Sequence, residues 1–159
     1  MTQGEIGSIL ALALRERLGP EQRGVVSVGT HVIVHGDDPA FAHPTKPIGP
    51  FVDGTEAARL EADRGWVMLE DAGRGYRRVV ASPEPIRIVE EAQIRALVDA
   101  GFVVIAVGGG GIAVTESEPG VYRGAEAVID KDRASALLGA SLSIPLLVLS
   151  TGVEQVAVH

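Results

Sequence analysis

Phe102-Val103-Val104-Ile105-Ala106-Val107-Gly108-Gly109-Gly110-Gly111 decides how the rest of the chain is read. Its apolar half is dominated by β-branched residues, as in a strand buried on both faces of a parallel sheet. Glycines fill the next four positions, at what would be the strand's carboxyl end. In open α/β sheets ligands bind there, and a run without side chains lets backbone N–H groups approach a phosphate or carboxylate closely. No Gly-Lys-Ser/Thr follows, so this is not a Walker A loop, and the spacing is not that of the dinucleotide fingerprint. A tight turn ahead of a hairpin explains the same glycines.

The neighbouring segments extend an α/β order. Residues 90–100 predict a helix with Gly101 at its C-terminal end. Downstream, 112–115 and 121–123 predict a hairpin around Glu118-Pro119-Gly120. Asp132 is placed to cap a helix reaching Ala140, and 146–149 predict a further buried strand. Upstream, Thr2-Gln3-Gly4-Glu5 is a capping signature. Ile6, Ile9, Leu10, Ala13, Leu14 and Leu18 then recur at helical spacing, which predicts a scaffold helix over 3–18 packed on a sheet. Residues 25–34 predict a buried strand. This order favours a parallel sheet with helices on both faces.

Between His35 and Pro85 the composition changes. Prolines at 39, 44, 47 and 50 and glycines at 36, 49 and 54 disfavour long regular elements. A short helix at 55–64 and strands at 66–69 and 76–80 make an inserted subdomain, about residues 37–80, riding on the main sheet. Asp71, Arg74, Arg77 and Arg78 give it a polar surface.

A chain of 159 residues with 46% hydrophobic and 22% charged content suits one domain with a buried core. A net charge of −7 argues against nucleic acid as the main partner. The absence of cysteine excludes disulfides and thiolate metal sites. No apolar run approaches the roughly 20 residues of a membrane span, and the N-terminus lacks the plan of a signal peptide. A cytoplasmic protein with no membrane partner is expected. Histidines at 31, 35, 43 and 159 form no helical pair, so neither a zinc site nor a Ser-His-Asp arrangement is expected.

Of the fourteen basic residues, only Lys46 and Lys131 are lysines. An ammonium is a compact point charge able to follow a phosphoryl oxygen, whereas guanidinium is a wide planar fork. Lys46, between Pro44 and Pro47, reads as presented from a stiff loop; a solvated loop lysine is the alternative. In Asp130-Lys131-Asp132 an aspartate can steady the ammonium while it neutralises charge on a transferring phosphoryl group. A surface ion pair beside a helix cap fits that spacing at least as well.

Together these segments resemble carbamate kinase, of the amino-acid kinase family. The resemblance runs through Met1-Thr2-Gln3-Gly4-Glu5-Ile6-Gly7, Asp37-Asp38-Pro39-Ala40-Phe41, Pro44-Thr45-Lys46-Pro47-Ile48-Gly49-Pro50-Phe51, Glu70-Asp71-Ala72-Gly73-Arg74-Gly75-Tyr76-Arg77-Arg78-Val79-Val80, the glycine run and Glu126-Ala127-Val128-Ile129-Asp130-Lys131-Asp132. It implies an α/β fold, a three-layer αβα sandwich of the amino-acid kinase type with a protruding subdomain, and a homodimer. It also implies reversible phosphoryl transfer between ATP and carbamate, giving carbamoyl phosphate and ADP, with Mg²⁺.

By the same resemblance Lys46 reaches over the active site from the subdomain. Lys131 contacts the transferring phosphate, and Asp132 organises the catalytic lysines. Gly108, Gly109, Gly110 and Gly111 line the substrate and phosphate site, while Lys131 and Thr151 fall on the nucleotide side. The family's chain begins before Met1, with a strand and a Gly-Gly-Asn loop, and continues past His159 to another phosphate-binding lysine. Near the end, Ser150-Thr151-Gly152-Val153 stands where some relatives read Leu-Thr-Asp-Val. The 159 residues are therefore read as a partial amino-acid kinase domain with N- and C-terminal parts missing, and little turnover is expected of them alone. The alternative is a non-catalytic remnant acting as a dimerisation or ligand-binding module.

Overall fold

The structure, a computed structural model, describes residues 2–19 and 24–150. In chain order the elements are α1 (Thr2–Leu18), β1 (Val25–Ser27), β2 (His31–Ile33), β3 (Lys46–Val52), α2 (Gly54–Arg64), β4 (Val67–Glu70), β5 (Tyr76–Val80), β6 (Arg87–Ile88), α3 (Glu91–Asp99), β7 (Val103–Ile105), β8 (Ile112–Glu118), β9 (Val121–Gly124) and α4 (Lys131–Ser141). The mixed α/β expectation holds, but the strands fall into three small sheets. β1 and β7 make a parallel pair, β6-β2-β8-β9 a mixed sheet, and β3-β5-β4 an antiparallel one.

The expected strand at 25–34 is broken in two. β1 lies parallel to β7, with Val25 opposite Val103, and β2 lies parallel to β8, with Val32 opposite Ala113. Both chains are interrupted at the same level, one at residues 28–30 and the other at 106–111. Thr30 explains the bend. Fully buried, its hydroxyl donates to the Val28 carbonyl (3.0 Å) and accepts from the Val107 N–H (2.9 Å). The Gln3 side-chain amide accepts from the Thr30 N–H and donates to its carbonyl, each at 3.1 Å. Side chains replace ladder bonds here, giving partners to the Thr30 N–H and carbonyl and to the Val107 N–H.

The core sits where the mixed sheet meets α3 and α4. Val32, Ile88 and Ala113 pack there with Ile94, Ile129 and Ala134. α3 ends as its sequence requires: Gly101 has φ 80°, its N–H donates to Val98, and the Phe102 N–H donates to Leu97. This Schellman closure turns the chain into β7. The hairpin of β8 and β9 forms around Pro119-Gly120, with Gly120 at φ 81°.

The three-stranded sheet is the subdomain. α2 is capped by Asp53, whose carboxylate accepts from the Glu56 N–H, and ends at left-handed Gly65. β3 was expected to be loop because of its prolines. Among the described residues it pairs only with β5, so Pro47 and Pro50 lie on an edge strand, where a missing N–H is tolerated. Arg74 and Arg77 stack on Phe51, and Arg64 and Arg78 stack on Trp66 at 5.6 and 4.4 Å.

One expectation is corrected. Residues 146–149 form no strand and are exposed, Val148 by 76%. Among the described residues no strand lies beside them, and an extended segment without a neighbour cannot pair its backbone groups. α1 does pack on β1 and β7, yet Ile6, Ile9, Leu10 and Leu12 are exposed and only Gly7 is buried.

Candidate functional site

Both of the chain's lysines bear on the N-terminal end of α4, Lys46 through its bond to Asp130 and Lys131 as the first residue of the helix. Lys46 opens β3, and its Nζ donates to Asp130 Oδ2 at 2.6 Å, across 84 residues of sequence. Asp130 is also the cap of α4: its Oδ1 accepts from the N–H groups of Asp132 (2.9 Å) and Arg133 (3.3 Å). This corrects the expected cap, Asp132, which lies inside the first turn. The extended backbone of Asp130 (ψ 124°) lets its carboxylate turn back onto those N–H groups, as capping requires. Lys131 is the first residue of the helix. Its Nζ stands 3.4 Å from Asp132 Oδ1, and both side chains are more than half exposed.

The Lys46 hydrogen bond, with those of Arg133 and Asp132, holds the Asp130 carboxyl down at about 2 despite partial burial. A carboxyl favoured as the anion in the folded state stabilises fully above its ordinary value near 3.8 and loses that effect as pH falls through about 2. Asp130→Asn keeps a capping oxygen but removes the charge. We expect it to be about 1–2 kcal/mol less stable near neutral pH, discounted for solvent screening, with the difference closing between about pH 4 and pH 2. Urea denaturation of both proteins across that range measures it.

The glycine loop is built differently from an open anion cradle. Gly108 donates to Ala106, and Gly110 and Gly111 both donate to Val107, so those N–H groups are spent on a tight turn. Gly109 makes no such bond among the described residues and is exposed. Gly110, at φ 128°, lies flush against the Ile129 carbonyl, one residue before Asp130. Gly108 and Gly109 instead face a cleft of about 490 Å³ between the loop and α1, lined also by Thr2, Gln3, Ile6 and Leu10. Lys46 and Lys131 do not line that cleft.

The structure thus ties Lys46 to Asp130, the residue that precedes Lys131 and Asp132, and seats the loop against the same segment. Thr151 lies outside the described residues. Sequence reading missed the Lys46–Asp130 pair and the Thr30 hub, since neither leaves a local signal. Among the described residues no group of three or more His, Asp or Glu side chains could hold a metal ion, and no helix is long and apolar enough to cross a membrane.

An α/β domain carrying an antiparallel subdomain is the class that these features define. The model of the amino acid kinase family matches residues 49–158, and the chain belongs to that family. It is 51% identical to the carbamate kinase-like protein YahI of Escherichia coli (strain K12), over 99% of this chain and 51% of that protein. It is 47% identical to the carbamate kinase of Pyrococcus horikoshii, over 100% of this chain and 51% of that one. Carbamate kinase from Giardia lamblia superposes with a TM-score of 0.82 when bound to citric acid (41% identity, 90% of this chain, 47% of that chain). Bound to AMP-PNP, it superposes at 0.73 (42% identity, 89% and 46%). The chain spans about half the length of the relatives it matches.

Proposed function

We propose that this chain carries part of a carbamate-kinase site, for reversible phosphoryl transfer between ATP and carbamate giving carbamoyl phosphate and ADP. The convergence of Lys46 and Lys131 on one helix N-terminus carries the reading. The exposed Lys131 ammonium in the first turn of the helix, with the Lys46 ammonium held at the helix cap by Asp130, favours a phosphoryl group gaining negative charge. Similarity to carbamate kinases over the whole chain, one of them solved with AMP-PNP, supports the nucleotide. Lys46 and Lys131 act on the phosphoryl group, Asp132 organises the lysines, the glycine loop borders the substrate side, and Thr151 belongs to the nucleotide side. Mg²⁺ suits this arrangement as an ion arriving on nucleotide phosphates, since it keeps waters and needs few protein ligands.

The test combines ATP formation from carbamoyl phosphate and ADP with calorimetric binding of carbamoyl phosphate. Little turnover is expected of the 159 residues alone, so binding is the main readout. Lys131→Ala and Lys46→Ala should each weaken binding about tenfold, as loss of one charged contact does. Binding indifferent to both substitutions overturns the reading.

A second reading, a non-catalytic dimerisation or ligand-binding module, has one observation in its favour. The exposed apolar residues of α1 and of 144–149 are surface that a partner would cover. A homodimer of a cytoplasmic protein is the assembly proposed, and sedimentation as a monomer at high concentration speaks against it.

A further inference from the structure

Two ion pairs cross the seam between the subdomain and the body, and they are not alike. Arg78 reaches toward Glu126 at 3.9 Å, with Glu126 almost wholly exposed. Lys46–Asp130 is the short one, at 2.6 Å, with side chains only 25% and 32% exposed. A half-shielded, charge-assisted bond is the member of such a set that holds geometry, whereas exposed pairs contribute little.

Both ends of that bond are anchored. Asp130 follows Ile129, which is 1% exposed in the core, and the Val128 N–H donates to the Ala81 carbonyl at 2.9 Å. Its second oxygen is committed to the α4 cap. Lys46 is paired through β5, with Lys46 opposite Val80, and the ring of Pro47 limits the backbone after it. By contrast, Lys131 has only a loose 3.4 Å neighbour in Asp132. The two lysines therefore differ in kind: one is clamped and the other is free to meet a ligand.

We propose that Asp130 is the positioning residue of this site, a carboxylate that caps α4 with one oxygen and with the other latches Lys46, and with it the subdomain, onto the body. It touches no reacting atom. It sets where the Lys46 ammonium stands, closes the helix N-terminus with its other oxygen, and leaves the Lys131 side chain exposed beside it. The target toward which Lys46 is held rests on the phosphoryl-transfer reading; the latch itself does not.

The chain suits a direct spectroscopic test, because two lysines give only two side-chain ammonium signals. In cooled ¹⁵N–¹H spectra of the 159-residue chain at mildly acidic pH, one slowly exchanging lysine ammonium resonance should be visible. It should vanish in Lys46→Arg and in Asp130→Asn and persist in Lys131→Arg. Amide hydrogen exchange in β3 and β5 should quicken about tenfold in Asp130→Asn, as local opening becomes easier. The amides of Asp132 and Arg133 should stay protected, because asparagine also caps. Lys46→Met should reproduce the exchange effect, and the double variant should add nothing further. Carbamoyl phosphate binding should weaken about tenfold in Asp130→Asn. Tighter binding would make Asp130 a competitor for Lys46 and overturn the proposal. So would an unchanged resonance in Asp130→Asn, or additive exchange effects. If wild type binds no carbamoyl phosphate, the phosphoryl-transfer reading fails, while resonance and exchange still decide the latch.

Discussion

Gly110→Ala should destabilise the protein by about 3 kcal/mol or more, while Gly109→Ala, one residue away, changes stability by less than about 0.5 kcal/mol. Gly110 has φ 128°, a region that side chains other than glycine rarely enter. A Cβ there would stand 2.2 Å from the Ile129 carbonyl oxygen and 2.9 Å from its carbon. Neither neighbour can yield cheaply. The Gly110 N–H is tied to Val107, and Ile129 is packed in the core with the preceding Val128 bonded to Ala81. Gly109 has no heavy atom within 4 Å of its Cβ position and no positive φ. In a chain of this size the Gly110 loss corresponds to a fall in Tm of roughly 6–12 °C. Thermal unfolding of the two variants side by side is the measurement. Equal losses would mean that the loop is not seated against Ile129.

Thr30→Val should cost about 2–3 kcal/mol, although the two side chains have nearly the same shape. The hydroxyl is the acceptor for the buried Val107 N–H and the donor to Val28, and valine replaces neither bond. An unpartnered buried N–H costs about 1–3 kcal/mol. Val107 adds to this, since a β-branched residue at φ 66° is held against its preference and is 2% exposed. Thr30→Ser keeps the hydroxyl and loses one buried methyl, for about 1 kcal/mol. Urea denaturation separates the two. Wild-type stability in Thr30→Val would show that the hydroxyl does not sustain the bend.

These two sites mark where sequence reading stopped. Elements with local signals were legible: the Gly101 closure of α3, the Pro119-Gly120 hairpin and the subdomain strand at 76–80 depend on residues adjacent in the chain. The broken strand at 25–34 was not, because its β-branched run is continuous and the break comes from Thr30 and Gln3 acting from elsewhere. Residues 146–149 have strand composition, but strand formation needs a neighbour, and composition does not supply one. In the site, Lys46 and Lys131 stood out because arginine fills the other basic positions. Asp130 drew notice only as a neighbour of Lys131. Its hold on Lys46 spans 84 residues, and no periodicity encodes a contact of that kind.

Trp66 has a practical consequence. It is the chain's sole tryptophan, and it lies in the subdomain against the guanidinium groups of Arg64 and Arg78. Tryptophan emission is therefore a private optical channel for the three-stranded sheet, while far-ultraviolet dichroism is weighted toward the longer helix α1 and the other helices. Two unlabelled melting curves on one sample can distinguish a subdomain that comes apart first from a molecule that unfolds as a whole.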